Sequence, residues 1–540
     1  MKETWWKESV VYQVYWRSFY DTNGDGYGDL RGVIEKLDYI KALGADVVWL
    51  NPFYESPDKD NGYDIQDYYG VMEKAGTMED FEELLAEAKK RGLKVIMDLV
   101  VNHTSDQHQW FLESRSGKDN PKRDWYIWKD GKSEGVPPNN WRSYFEPSTW
   151  TYDEKTGQYY FHSFAVEQPD LNWENPEVRE EIFRMMRYWL DKGIDGFRMD
   201  VINLLAKVKG FPDADNPDNI NYLGNNPGIH EYLQEMHEKV LKHYDIFTVG
   251  EIPFVTPQDG VKYVGEDRNE LNTLFHFEVA DDMPTWDLPR FKEIQKRWYE
   301  GLWGKGWNSQ FLNNHDHTRV VTRYGNDSEY RLESAKLFGT LTHTLPGMPY
   351  IYQGEEIGMT GVRFDSIEDY NDIATRNKYR ELVAGGMDPK AALDEVSPLS
   401  RDNSRTPVQW NAGDNAGFTS GQSWININPN YKEINVEQAL ADKNSVYYHY
   451  KKLIELRKEH KALVYGEFHP VLEEHGNLYA YFRRYNDETL FVICNFNEFD
   501  ETVSLPDEVH GADLLLGNYP VDDSEGKITL RPYESRLYRC

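Results

Sequence analysis

Cysteine is almost absent: Cys494, inside an apolar strand-like run, and Cys540, the last residue, are the only two in 540 residues. Neither a disulfide framework nor a cysteine-based metal centre follows from them. Long apolar runs are missing too, since none approaches the roughly 18 residues of a membrane span. The opening MKETWWKESVVYQ lacks the basic-then-apolar pattern of a secretory leader. Positive charge is scarce, with 60 Lys and Arg against 92 Asp and Glu and a net charge of −32. That balance disfavours nucleic acids and anionic membranes and favours solubility. The expectation is a soluble, cytoplasmic monomer with neither as a partner. What the chain has in surplus is aromatic surface: 17 Trp and 37 Tyr exceed what packing needs, and aromatic faces suit carbohydrate rings as well as cores.

Residues 9–19 read as a buried strand, and Leu30, Val33, Leu37, Ile40 and Leu43 step at helical spacing. A short apolar strand at 46–50, a helix carrying Phe81, Leu84, Leu85 and Ala88, and a strand at 94–101 follow. Strand and helix alternating at this spacing predict a parallel sheet. The alternation breaks over 104–171, which is dense in Trp, Tyr, Pro, Asn and Gly without a clear helix. Nearly 70 residues are too many for one loop, so this stretch is read as an inserted subdomain. Strands at 246–251, 309–314 and 348–353 resume the pattern, with a second irregular insertion over 359–422. From 465 to 540 short alternating runs predict a small antiparallel β domain. The barrel is then 1–103 with 172–464, and the insertion 104–171.

The stretch 193–203, GIDGFRMDVIN, is the pivot. Strand alternation sends Phe197, Met199 and Val201 to one face and Arg198 and Asp200 to the other. An Arg and an Asp together on an inner face are costly unless they pair or act on a substrate, so a structural ion pair and a reactive site both remain open from this stretch alone. Other apolar runs also end in polar clusters: Asp98 to His103, Asp60 to Asp64, Glu251 after Gly250, and His315-Asp316-His317. Strand ends are where barrel enzymes place their chemistry. Near the N-terminus, Asp21, Asn23, Asp25, the carbonyl of Tyr27, and Asp29 place oxygens at alternate positions around tight glycines, as in the first half of a calcium loop. Gly32 stands where a helix-loop-helix calcium site needs Glu. A compact calcium loop and a metal-free Asx-rich turn both fit.

The set DLVVNH, QPDLN, GFRMDVIN, the Gly-Glu strand end and NNHD resembles, in order and across essentially the whole chain, the α-amylase superfamily of glycoside hydrolases, and within it the oligo-1,6-glucosidase and dextran-glucosidase branch. The resemblance implies an α/β fold: a (β/α)₈ TIM barrel with a subdomain inserted after the third strand and a C-terminal antiparallel β-sandwich. It implies an exo-acting α-glucosidase on oligosaccharides, with Asp200 as nucleophile, Glu251 as general acid/base and Asp316 as third carboxylate. His103, Arg198 and His315 would bind the nonreducing glucose, Asp64 and Arg401 would close the far end, and Val201 would favour α-1,6 linkages. Asp21, Asn23, Asp25, Tyr27 and Asp29 would hold a structural Ca²⁺. Physical chemistry agrees, since glycoside cleavage needs an ionised and a protonated carboxyl about 5 Å apart in a retaining enzyme; Arg198 would keep Asp200 ionised while crowding keeps a proton on Glu251. Ala374, where the branch has Glu, and a short 278–290 segment without Lys depart from the pattern at the leaving-sugar side. An α-1,4-glucosidase, a trehalose-6-phosphate hydrolase and a sucrose isomerase are the enzyme alternatives. A catalytically dead binding or transporter-associated member would have lost the acids that are present here.

Overall fold

The structure is a computed structural model describing residues 2–521 and 527–540; Met1 and residues 522–526, which fall in the expected barrel and C-terminal domain, lie outside the described residues. Eight parallel strands form the centre: β1 (Val11–Val14), β2 (Val47–Leu50), β3 (Lys94–Leu99), β4 (Gly196–Met199), β5 (Phe247–Glu251), β6 (Thr273–Phe275), β7 (Ser309–Gln310) and β8 (Met348–Tyr352). They pair in the order β6-β5-β4-β3-β2-β1-β8-β7. A single parallel bridge, Leu274 to Asn308, closes the ring between β6 and β7.

Alternation explains why these runs carry so little polarity. Val11, Val47, Trp49, Ile96, Phe247, Val249, Phe275, Met348 and Tyr350 form one buried cluster, the barrel lumen. Their sequence neighbours Tyr12, Val48, Val95, Met97, Phe197, Leu274 and Ile351 belong to a second, packed with the surrounding helices. Both faces of each strand are covered, as a parallel sheet requires. Among the helices are α1 (Leu30–Leu43), α2 (Met78–Lys90), α3 (Pro176–Lys192), α4 (Ile229–Lys239), α5 (Pro257–Val264), α6 (Leu288–Leu302), α7 (Arg331–Thr344) and α8 (Val446–Glu459). The helical spacing read from Leu30 to Leu43 is the buried stripe of α1, which Asp29 caps at its start and Gly44 ends at φ 111°. Gly196 opens β4 at φ 146°, where a Cβ would lie 1.8 Å from the Phe247 carbonyl oxygen; only glycine lets β4 and β5 approach there.

The first run is shorter than its hydrophobicity suggests. After Val14 the chain turns into a 3₁₀ turn at Trp16–Ser18, which aims Arg17 inward. Over 104–171 the expected absence of helix is corrected: Gln109–Ser116 is helical, with the His108 ring accepting the Trp110 amide at its start. Beside it lies a three-stranded sheet of Trp128–Lys129, Gln158–Phe161 and Trp150–Asp153. Bridges His103 to Asp170 and Tyr126 to Leu171 fasten this subdomain to the rim. Much of the aromatic surplus is spent on packing: Trp16, Trp49, Trp141, Trp173, Trp189 and Trp298 are all fully buried. At the C-terminus β9 (Glu467–Val471), β10 (Leu478–Tyr485), β11 (Glu488–Asn495), β12 (Asp513–Gly517) and β13 (Ser535–Arg539) form an antiparallel sheet in the order β9-β10-β11-β13-β12. A two-stranded ribbon, Glu501–Ser504 with Lys527–Leu530, accompanies it.

Candidate active site

Register brings the acids together. On neighbouring strands Asp98 pairs with Arg198 and Met199 with Gly250, so Asp200 and Glu251 emerge one step later on the same rim. The fully buried Arg198 guanidinium meets Asp98 at 2.5 Å, Asp200 at 2.7 Å and Glu251 at 2.7 Å. The backbone N–H of Val201 also donates to Glu251 Oε2 at 3.0 Å. One cation therefore faces three carboxyls. Burial and the neighbouring Glu251 push Asp200 well above the usual carboxylate range, against the pull of Arg198. Burial lifts Asp98 to about 6, opposed by Arg198 and the Trp49 indole N–H. The expectation that Arg198 keeps Asp200 ionised therefore meets an opposing influence: the guanidinium is divided among three carboxyls, and burial beside Glu251 favours the protonated form of Asp200. Such a pair can supply an acid and an anion at one place.

The third acid lives in the opposite environment. Asp316 takes Arg405 at 2.7 Å, His315 at 3.1 Å and Arg401 at 3.5 Å. Burial alone would raise it, but His315, Arg401 and Arg405 hold it far below the usual range. It is a fixed anion and a permanent acceptor. His315 lies flat between Tyr63 and Tyr15, with interplanar angles of 5° and 20°. Its two ring nitrogens meet Gln13 and the Tyr63 hydroxyl, each at 2.8 Å, and burial holds it neutral, well below its ordinary pKa. His103 is buried beside the Tyr63 carbonyl at 3.1 Å and Gln168 at 3.3 Å.

The far wall differs from expectation in one residue. Arg401 bridges Asp60 at 3.1 Å and Asp372 at 2.7 Å. Asp64 instead turns back into its own loop, accepting the amides of Lys59 and Asp60 at 3.0 Å each, and burial raises it to about 7. Asp60, not Asp64, is the partner of Arg401. Gln168, from the QPDLN motif, donates to the second Asp60 oxygen at 3.1 Å. Val201 is displaced too: the strand ends at Met199, Val201 adopts φ 34°, and its side chain joins Phe164, Trp141 and Leu204 of the subdomain core rather than Phe197 and Met199. Asp98, Asp60, Tyr63, Arg405 and Asp372 were missed as site residues. The signal for the first two was available, since each lies in a polar cluster already noted at a strand end.

The Asp21 to Asp29 loop is braced internally. Asp21 accepts the amides of Asn23, Gly24 and Gly26 and the Thr419 hydroxyl. Asn23 accepts the Asp25 amide, Asp25 the Tyr27 amide, and Asp29 caps α1 through Gly32. These oxygens suit a hard cation in kind. Among the described residues no three acidic, histidine or cysteine side chains converge as ligands, so the loop here is held by hydrogen bonds.

Residues 13–466 match the family model described as Alpha amylase, catalytic domain, and residues 478–537 match Alpha-amylase SusG C-terminal domain. The oligo-1,6-glucosidase of Parageobacillus thermoglucosidasius is 54% identical over 559 aligned positions, covering 100% of this chain and 99% of that protein. Among solved structures, Bacillus licheniformis trehalose-6-phosphate hydrolase superposes with a TM-score of 0.94 at 49% identity, covering 99% of this chain and 100% of the other. The isomaltulose synthase of Protaminobacter rubrum gives 0.96 at 43%, with 100% of both chains covered. With the eight-stranded barrel, its rim carboxyls and matches of this extent, the chain belongs to the α-amylase family.

Proposed function

We propose that this protein is an exo-acting, retaining α-glucosidase that hydrolyses the nonreducing-end α-1,6 bond of isomaltose and isomalto-oligosaccharides. The observation that carries the chemistry is the placement of the carboxyls: Asp200 and Glu251 share the Arg198 guanidinium at 2.7 Å each, while Asp316 is paired with Arg405, His315 and Arg401. Asp200 attacks the anomeric carbon as that carbon's bond to the bridging oxygen breaks, and Glu251 gives its proton to the departing oxygen. Water then attacks the same carbon, its proton passes to Glu251, and the ester to Asp200 is released. Asp316 accepts hydroxyls of the flattening ring, where an anion stabilises positive charge at C1. The Asp60–Arg401–Asp372 bridge closes the far end, which supports exo action.

The α-1,6 preference rests on Val201 and on the 54% identical relative named as an oligo-1,6-glucosidase. The similarity to trehalose-6-phosphate hydrolases, 48% for the Bacillus subtilis (strain 168) protein, keeps that activity as a second reading. Initial rates on isomaltose, maltose, sucrose and trehalose 6-phosphate decide: the α-1,6 reading requires isomaltose to be cleaved fastest. We further read the Asp21 to Asp29 loop as a calcium site, the protein as a cytoplasmic monomer, and the chain as divided near 103/104, 171/172 and 464/465. The acidic composition and the absence of any described helix long and apolar enough to cross a membrane are compatible with that setting.

A further inference from the structure

The 3₁₀ turn Ile202–Leu204, two residues past Asp200, carries a fully buried asparagine, Asn203, that no step of the chemistry above uses. Both of its amide hydrogens are engaged, one on the Pro253 carbonyl at 2.8 Å and one on Asn225 Oδ1 at 3.2 Å. Asn225 returns the contact: its backbone N–H donates to the Asn203 carbonyl at 3.1 Å, and its side chain to the carbonyls of Pro253 at 3.4 Å and Phe254 at 3.2 Å. The Tyr263 hydroxyl, on α5, donates to the same Asn225 oxygen at 2.8 Å. We propose that Asn203 and Asn225 are positioning residues, a clamp that sets the Glu251 carboxyl against the leaving oxygen, so that proton donation depends on them and sugar binding does not. The inference rests on the roles given to Asp200 and Glu251 above.

The turn that follows the nucleophile grips Glu251 at two places. Its Val201 N–H holds the Glu251 side chain at 3.0 Å, and its Asn203 amide holds the main chain two residues beyond, at Pro253. On the other side the Ile252 N–H donates to the Phe275 carbonyl of β6 at 3.1 Å. The Asp200 and Glu251 loops are thereby fixed to one another and not only to their own strands.

Three non-glycine residues of this knot lie in left-handed backbone: Val201 at φ 34°, Asn225 at φ 58° and Phe254 at φ 61°. Asparagine takes that conformation readily; valine and phenylalanine do not, and such strain persists where the surroundings over-determine it. Asn203 carries a further cost. Its Oδ1 is buried with no hydrogen-bond partner among the described residues, which makes it a poor side chain for packing alone. Turning the amide over would set Oδ1 against two acceptors, so its orientation is fixed. Gly224 lets the Asn225 chain come this close, since a Cβ there would lie 2.8 Å from Asn203 Nδ2.

The test uses two substrates that differ in their need for an acid. A 4-nitrophenyl α-glucoside leaves as a stable phenolate with little help from a proton, whereas isomaltose leaves as a sugar alkoxide unless Glu251 protonates it. In both cases kcat/KM reports the steps up to glucosyl transfer onto Asp200. Asn203→Leu keeps the shape and removes the donors; Asn225→Gly removes the amide while tolerating the positive φ. Each should lower kcat/KM for isomaltose by about 10–100-fold, and for the aryl glucoside by less than about threefold. A loss shared equally by both substrates, as general damage to the fold or the nucleophile would give, overturns the proposal; so does no loss for either. If Asn203→Leu does not fold, Asn225→Gly decides by the same criterion. If the wild type prefers maltose or trehalose 6-phosphate, the α-1,6 reading fails separately, and that substrate replaces isomaltose in the comparison. A wild type that cleaves no α-glucoside removes both readings together.

Discussion

Val201 turns the chain at φ 34° and ψ 44° immediately after Asp200. A β-branched side chain in left-handed backbone costs roughly 1–2 kcal/mol, and strain of this kind persists where the surroundings fix it. Here the turn aims the Val201 amide at Glu251 and tucks the side chain against Phe164. Val201→Thr keeps the β-branching, so the backbone strain is unchanged, and the substitution introduces a hydroxyl beside Phe164 at the site. A pocket that can hydrogen-bond a sugar hydroxyl discriminates more than an apolar one, and kcat/KM for maltose relative to isomaltose should rise by about 10–200-fold; no change would show that linkage is set elsewhere. Asp200→Asn removes the attacking oxygen and should lower kcat by about four orders of magnitude or more, with the fold intact. Retention is checked on the wild type: the first anomer released should be α, and a β burst overturns double displacement. The acids were legible because each ends an apolar run. Asp60 was hidden for a local reason: which acid of DNGYD faces the site depends on the amides of Lys59 and Asp60, which claim Asp64.

Strands and helices were legible where one period dominates, as in α1 and α2, and were lost where tertiary contacts decide. The helix at Gln109–Ser116 begins on a histidine cap and packs Phe111 among aromatic rings of the subdomain, so no amphipathic stripe betrays it. The Asp21 to Asp29 loop is the opposite case, since its alternating oxygens are plain in the sequence and the fold holds them with hydrogen bonds. Asp29 already serves twice, capping α1 through the Gly32 amide at 2.6 Å and binding Thr22. If calcium enters, Asp21, Asn23, Asp25 and Asp29 with the Tyr27 carbonyl would hold it, adding stability but no step of the chemistry. At 100 times its Kd an ion adds about 2.7 kcal/mol. Exhaustive chelation should therefore lower the melting temperature by a few degrees while leaving kcat nearly unaffected at moderate temperature. An unmoved melting temperature would mean that the hydrogen bonds seen here are the loop's whole support.

Across the molecule, buried ionisable groups oppose one another in pH. Burial depresses the histidines: His276 and His449 to about 3, His317 and His343 to about 4. The folded form binds those protons less tightly than the unfolded chain, so their stabilisation is whole above about pH 6.5 and is lost as pH falls toward 3–4. Burial raises a set of carboxyls: Asp98 and Asp402 to about 6, Asp64 to about 7, and Glu355 to about 8. Here the folded form binds the proton more tightly. Their contribution is whole below about pH 4 and is lost as pH rises through 6–8. Above pH 6.5 the histidines no longer add, while Asp64 and Glu355 still titrate, so stability should peak near pH 6.5 and decline toward pH 8. Glu355 offers the clean test, since it follows β8 on the 3₁₀ turn Glu355–Ile357, takes the Tyr450 hydroxyl at 2.8 Å, and neighbours the buried Glu356. Glu355→Gln replaces a carboxyl that must ionise in a dry site with a neutral group of the same shape. Melting temperatures measured from pH 5 to 8.5 should fall less steeply above pH 6.5 in this variant than in the wild type, with the two curves converging at the acid end. High constant salt screens the surface repulsion of a chain at −32 and leaves the buried groups in view. A wild-type melting temperature that still climbs between pH 6.5 and 8 would show that the raised carboxyls do not set the alkaline limb.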